Sequence, residues 1–83
     1  MTIDEIRDLV AVQLGVRSVA AVDRLIEDLG AESADVVNLV AAVEDKVGIV
    51  VEEEEIADLE TVADVFELVR GRTGANAKRP LRP

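Results

Sequence analysis

The sequence contains no cysteine, histidine, tryptophan or tyrosine, and Phe66 is its single aromatic residue. Without cysteine there is no disulfide framework, no thiolate nucleophile and no cysteine-based zinc or iron–sulfur site. Without histidine the chain also lacks the commonest general base and metal ligand. These absences favour a module that binds other proteins over an enzyme.

The remaining composition fits one small domain with an aliphatic core. The chain has 83 residues, of which 15 are valine, eight leucine and five isoleucine. A domain of this size buries only about 60–65% of the surface of its unfolded chain, so we expect marginal stability.

Charge divides the chain into two parts. Residues 1–69 hold all 18 acidic side chains and four basic ones, whereas residues 70–83 hold five basic side chains and no acid. The acidic part should repel nucleic acid and anionic membranes and attract basic protein surfaces. We therefore predict a folded domain over residues 1–70 and a basic, disordered tail over residues 71–83. Five charges without an aromatic residue make a weak case for nucleic-acid binding by that tail.

Neither a leader nor a membrane span is predicted. The first residues include Asp4, Glu5 and Asp8, which secretory and organellar leaders avoid. No apolar run approaches the roughly 18 residues needed to cross a bilayer. We expect a cytoplasmic monomer that binds neither nucleic acid nor membrane.

The first helix is predicted from a capping box, Thr2-x-x-Glu5, to a left-handed cap at Gly15. Residues 16–31 then form a long connection, and connections of that length are often functional. We expect its apolar side chains to attach it to the core: Val16, Val19, Val22, Leu25, Ile26 and Leu29.

A second helix is predicted from about Ser33 to Val47, ending at Gly48. Its inner side holds Val36, Val40, Val43 and Val47, with Leu39 at the edge. Its outer side is small, apolar and acidic at once, which suits transient docking, and comprises Ala34, Val37, Asn38, Ala41 and Asp45.

The last third of the chain predicts a short helix and then a longer one. Four glutamates, Glu52–Glu55, lead into one or two helical turns, and Thr61-x-x-Asp64 begins a helix that closes at Gly71. The fold class is therefore all-α: a small four-helix bundle with three main helices, one short helix and a long first loop. The last helix is expected to pack Val62, Val65, Phe66 and Val69 inward.

The segment that ends in Ser33 is the best candidate site. A serine at a helix start is most often a structural cap. Here, however, the serine lies within EDLGAESADVVNLVAAVEDKVGIVV at 27–51, followed by EEEEIADLETVADVFELV at 52–69. Together with QLGV at 13–16, this pattern resembles the acyl carrier proteins, whose hallmark is Leu-Gly-x-Asp-Ser-Leu-Asp/Glu. The resemblance covers residues 1–70 and implies the small four-helix bundle of that family.

The resemblance implies a carrier rather than a catalyst. The serine at position 33 would hold 4′-phosphopantetheine, installed from coenzyme A by a separate phosphopantetheinyl transferase with magnesium. Acyl groups would be bound to the arm as thioesters. They would be delivered to enzymes of fatty-acid biosynthesis or of related polyketide or specialised-lipid biosynthesis. A serine at a helix N-terminus is also where a phosphate is favoured.

The resemblance also implies a docking surface for acyl-loading and acyl-processing enzymes with basic surfaces. Its members would be the acids Glu32, Asp35, Glu44 and Asp45 and the small apolar residues Val37 and Ala41.

Three positions depart from the family pattern. Glu32 replaces an aspartate, Ala34 replaces a leucine and Asn38 replaces an acid. These departures bear on which transferase and partners recognise the chain. They leave open both a housekeeping fatty-acid carrier and a specialised carrier for a polyketide, a modified lipid or an amino-acid pathway.

Three other functions compete with the carrier. A cofactor-free acidic adaptor for a basic protein would explain the charge and the helices, with Ser33 as a mere cap. A calcium module is suggested by Glu52–Glu55, but contiguous acids lack the spaced ligands and central glycine of an EF-hand and more often begin a solvated helix. A hydrolase built on Ser33 would need a base within reach, and the sequence offers none.

Overall fold

The computed structural model describes residues 1–72, which form four α-helices. They are α1 (Ile3–Leu14), α2 (Ser33–Val47), α3 (Glu53–Ala57) and α4 (Val62–Arg70). Helix α1 packs against α2 and α4, and α3 packs against α2. The predicted all-α bundle is confirmed, including its single short helix. None of the helices in the described residues is long and apolar enough to cross a membrane.

Helix α1 begins and ends at predicted capping residues, and α2 ends at one. The Thr2 hydroxyl accepts from the Glu5 N–H at 3.1 Å, and the Glu5 carboxylate accepts from the Thr2 N–H at 2.7 Å. Gly15 and Gly48 end α1 and α2 in the left-handed conformation, with φ of 70° and 72°. Local sequence therefore fixes both ends of α1 and the C-terminal end of α2.

The C-terminal end of α4 differs from the C-terminal ends of α1 and α2. The helix ends at Arg70 as predicted, but Gly71 keeps right-handed helical angles of φ −63° and ψ −37°. The chain therefore continues along the helical course to Arg72 instead of reversing. The rest of the predicted basic tail lies outside the described residues.

The core is aliphatic and is built from all three main helices. Leu39, predicted at the edge of the inner side, is fully buried. Because α2 packs against α1 and also against α3, its buried side is wider than the valine spacing alone predicts. Phe66 packs against the buried members of this core, which are Ile6, Val10, Ala11, Val19, Leu25, Ala31, Val36, Leu39, Val43, Val62, Val65 and Val69.

The connection between α1 and α2 is only partly attached by its apolar side chains. Val19 and Leu25 are buried as expected, but Val22 is 79% exposed and Ile26 is 51% exposed. The prediction that these two pack on the core is wrong. Carboxylates within the connection accept hydrogen bonds from backbone N–H groups and close tight turns, so neighbouring apolar side chains point in different directions.

Backbone hydrogen bonds attach the same connection to the corner between α3 and α4. We call this set of three bonds the loop strap. The N···O distances are 2.8 Å from Leu25 to Glu60, 3.0 Å from Val62 to Asp23 and 2.8 Å from Ala63 to Ala21. The connection that leads to Ser33 is therefore held from both sides, by buried side chains and by main-chain bonds.

The carboxylate of Asp64 predicts an acid-dependent loss of stability. Its Oδ2 accepts from the backbone N–H groups of Thr61 at 3.0 Å and Glu60 at 2.9 Å, and these bonds hold the pKa of Asp64 below its usual range. The stabilisation is thus present above the pKa of the unfolded chain, about 3.9, and is lost as the pH falls through the folded pKa. We expect Asp64→Asn to cost about 1 kcal/mol at pH 7, because the amide oxygen still accepts but without the charge that strengthens the bond.

The measurement is the free energy of unfolding of parent and variant between pH 7 and pH 3. The difference between the two should shrink in the acid range. Asp45→Asn is the control, because the exposed Asp45 carboxylate bonds no other residue of the described chain. A parent–variant difference that is constant with pH would contradict the assigned role.

Candidate functional site

Ser33 is the first residue of α2, and its side chain is exposed. The residue in the N-cap position is Glu32, whose backbone N–H donates to the Asp35 carboxylate at 2.9 Å. No group within residues 1–72 hydrogen-bonds the Ser33 hydroxyl. The serine is therefore not acting as a helix cap, and its hydroxyl is available to an incoming group.

The residues before Ser33 turn the chain so that the serine faces solvent. Gly30 has φ of 75°, a left-handed conformation that favours glycine, and its N–H donates to the Ile26 carbonyl at 3.1 Å. Ala31 is buried, and its N–H donates to the Leu25 carbonyl at 2.9 Å. Ser33 lies two residues beyond this anchor and starts α2 at the surface.

A turn that is closed by a backbone hydrogen bond and an ion pair precedes Gly30. The Asp28 carboxylate accepts from the Arg24 backbone N–H at 2.8 Å and also contacts the Arg24 guanidinium at 3.4 Å. The pKa of Asp28 lies below its usual range, mainly because of the backbone hydrogen bond and secondly because of the bond to the guanidinium. The Asp28 carboxylate therefore stays ionised near neutral pH, and the turn stays closed.

An apolar groove adjoins Ser33 between α2 and α3. Its volume is about 470 Å³, within the range of small-molecule sites. Two of its lining side chains, Ile26 and Val37, are each 51% exposed. The groove therefore presents apolar surface next to Ser33. It is lined by Ile26, Ser33, Val36, Val37, Glu53, Ile56, Ala57 and Leu59.

The electrostatic setting of Ser33 combines a helix N-terminus with two acids. Unpaired N–H groups at the start of a helix favour a phosphate. Glu32 is exposed and Asp35 is partly exposed, so both carboxylates are accessible to a cation on a partner. The helix start therefore favours an anion, and the two carboxylates present negative charge around it.

The other predicted docking residues lie on α2 in two different settings. Val37, Ala41 and Asp45 are exposed, as the helical spacing predicts. Glu44 is partly buried, and its Oε2 accepts from the Val51 N–H at 2.7 Å. The Glu44 carboxylate thus holds the segment between α2 and α3, a role that the sequence did not indicate.

Sequence reasoning missed the wall of the groove opposite α2. Ile56 and Ala57 of α3 and Ile26 of the connection face Val37 across it. The available signal is Ile26, an isolated isoleucine in a polar connection with no periodic partner. The sequence predicts it as a core contact instead. Sequence reasoning also missed the ion pair between Arg72 and Glu55, two residues 17 apart in the chain.

The glutamate run begins a helix, as predicted. Glu52 is the N-cap of α3, and its N–H donates to the Glu55 carboxylate at 2.9 Å. Within residues 1–72 no three acidic side chains are grouped so that they could hold a metal ion. The described residues therefore give the calcium alternative no ligand set.

Fold and site together define a class of protein. A small helical body that presents an unbonded serine hydroxyl at a helix start, beside an apolar groove, is suited to carry a covalently attached group. Residues 4–69 match the protein family defined by a phosphopantetheine attachment site. The match spans α1 to α4, so the class is that of the phosphopantetheine-bearing carriers.

Individual relatives agree with that class. The chain is 40% identical to the acyl carrier protein of Campylobacter fetus subsp. fetus over 70 residues, 82% of this chain and 91% of the relative. It is 47% identical to that of Akkermansia muciniphila over 68 residues, 80% and 85% of the two chains. It is 42% identical to that of Saccharopolyspora erythraea over 67 residues, 78% and 70% of the two chains.

The chain belongs to the acyl carrier protein family. It is therefore a carrier, and its cofactor is 4′-phosphopantetheine. The resemblance inferred from the sequence is confirmed. The described residues also fit the cofactor, since they offer a free hydroxyl, a helix N-terminus for the phosphate and an adjoining apolar groove.

Proposed function

We propose that Ser33 carries the 4′-phosphopantetheine arm and that the chain supplies acyl intermediates to enzymes of fatty-acid or related polyketide or specialised-lipid biosynthesis. The observation that carries this proposal is the exposed, unbonded Ser33 hydroxyl beside the apolar groove. When attached, the arm supplies a terminal thiol for thioester formation. The chain itself has neither cysteine nor histidine, so the chemistry of loading belongs to the transferase and the partner enzymes.

The proposed docking face lies around Ser33 and along the outer side of α2. Its apolar members Val37 and Ala41 are flanked by carboxylates, so a basic surface with small apolar pockets would match it. In this proposal the chain works as a monomer. The acidic members are Glu32, Asp35, Glu44 and Asp45.

Intact mass tests the proposal directly. After incubation with coenzyme A, magnesium and a broad-specificity phosphopantetheinyl transferase, the chain should gain the mass of one phosphopantetheine. If it gains none while folded, the double substitution Glu32→Asp with Ala34→Leu restores the family pattern. Loading of that variant would show that the parent needs a different transferase, whereas no loading of either would support the cofactor-free adaptor.

Salt should slow the association of the chain with the transferase. The acids around Ser33 attract a basic partner over a distance that shortens to about 3 Å at 1 M salt. We expect the association rate measured by stopped flow to fall about tenfold between 50 mM and 500 mM sodium chloride. A rate that does not change with salt would remove charge steering from the proposal.

Two neutralising substitutions test whether the charge that attracts the partner lies on the docking face. Asp45→Asn removes one exposed carboxylate from α2, and Asp8→Asn removes one from α1. The α2 variant should associate more slowly than the α1 variant at low salt, and the two should converge at high salt. Equal rates at low salt would show that overall charge, not this face, attracts the partner.

A further inference from the structure

Helix α3 is too short to hold its own position. It has five residues, Glu53–Ala57, none of which is fully buried. Isolated helices of this length are unstable in water because nucleation outweighs the few bonds formed. The position of α3 therefore depends on contacts with the rest of the molecule.

Helix α3 is also one wall of the groove beside Ser33. Glu53, Ile56 and Ala57 line the groove on the α3 side, and Val36 and Val37 line it on the α2 side. Any displacement of α3 away from α2 changes the width of the groove. What holds α3 in place thus determines how far the groove opens.

One ion pair connects α3 to the end of α4. The Arg72 guanidinium donates to Glu55 Oε2, and both side chains are less than one-third exposed, 28% and 30%. The other oxygen of the same carboxylate accepts from the Glu52 N–H. Glu55 therefore links the start of α3 to a residue that follows α4.

This ion pair differs from the other three among residues 1–72. Those three join side chains three or four positions apart, and each has a partner more than half exposed or two partners near 40–50%. Only the Arg72–Glu55 pair of the described chain joins two elements. The right-handed conformation of Gly71 extends the course of α4 far enough for Arg72 to reach Glu55.

We propose that Arg72 is a positioning residue that holds α3 against the body and thereby limits the opening of the groove to the acyl chain. This inference rests on the proposed function for its purpose, but the contact it describes does not need the cofactor. Arg72 therefore belongs functionally to the carrier domain and not to the basic tail.

Amide hydrogen exchange of the unmodified full chain tests the contact. Arg72→Gln should speed exchange at the amides of Ile56 in α3 and of Asp58, the residue that follows α3, about two- to five-fold. This is the range expected for an ion pair of this exposure. Arg70→Gln is the matched control, because it removes the same charge but breaks only a pair with Glu67 inside α4. Its α3 amides should exchange as in the parent.

Two further measurements keep the test decisive. Raising sodium chloride to 1 M should bring the parent toward the exchange rates of Arg72→Gln. Glu55→Gln should add nothing to Arg72→Gln, since glutamine can still accept from the Glu52 N–H. Additive effects of the two substitutions, or equal α3 exchange in both arginine variants, would overturn the proposal.

The opening of the groove has its own readout in the same proteins. The fluorescence of 1-anilinonaphthalene-8-sulfonate should be higher with Arg72→Gln than with Arg70→Gln, because a displaced α3 exposes Ile56 and Leu59. Equal fluorescence would overturn the link between Arg72 and the groove. Hydrogen exchange and dye fluorescence do not use phosphopantetheine. If neither the chain nor Glu32→Asp with Ala34→Leu loads but the arginine variants still differ, the proposed function is refuted and the positioning role remains.

Discussion

Ser33→Ala is expected to abolish the gain of one phosphopantetheine in intact mass while leaving the helical content unchanged. Alanine removes the hydroxyl oxygen to which the phosphate would be bonded. The substitution should not disturb α2, because the cap is formed by Glu32 and Asp35 and the hydroxyl has no partner among the described residues. Intact mass and circular dichroism of the same sample give both results.

The chain offers a matched control for this substitution. Ser18 is the only other serine, and it is also exposed. Ser18→Ala should load as the parent does. Modification of the Ser33→Ala variant would place the arm elsewhere, and loss of loading in both variants would point to a general defect in transferase recognition.

Leu25→Ala should cause the largest loss of stability of any single substitution in the connection that leads to Ser33. Leu25 is 1% exposed, and its backbone takes part both in the loop strap and in the anchor of Ala31. Truncation of a buried leucine to alanine costs about 2–5 kcal/mol through lost burial and a residual cavity. A domain whose whole stability is about 5–15 kcal/mol would lose a large fraction of it.

Val22→Ala is the control for Leu25→Ala in the same connection. Val22 is 79% exposed, so its truncation should change the free energy of unfolding by less than about 0.5 kcal/mol. Denaturant unfolding of the two variants measures the difference. Similar losses in both variants would show that the connection is not anchored through Leu25.

Features that depend on neighbours in the sequence could be predicted. Thr2, Gly15, Gly48 and Thr61 each mark a helix end through a side chain or a backbone conformation that acts within four residues. The position of Ser33 at the start of α2 follows from the same local information. The bounds of α2 therefore needed no knowledge of the rest of the chain.

Features that depend on distant residues could not be predicted. The loop strap joins two segments that have no periodicity in common, and the Arg72–Glu55 pair joins residues on different elements. The exposure of Ile26 follows from the turns around it and from the position of α3, neither of which is visible in its own sequence context. The sequence therefore predicts the position of the serine but not the groove beside it.

The loop strap also bears on how this protein could be recombined with others. The peptide that presents Ser33 takes part of its shape from main-chain partners at residues 60–63, which follow two further helices in the chain. A loop and helix grafted alone onto another scaffold would leave the Leu25 N–H without its acceptor and the Asp23 and Ala21 carbonyls without their donors. A unit exchanged between multi-enzyme systems with its serine correctly presented therefore has to extend at least through residues 60–63, at the start of α4.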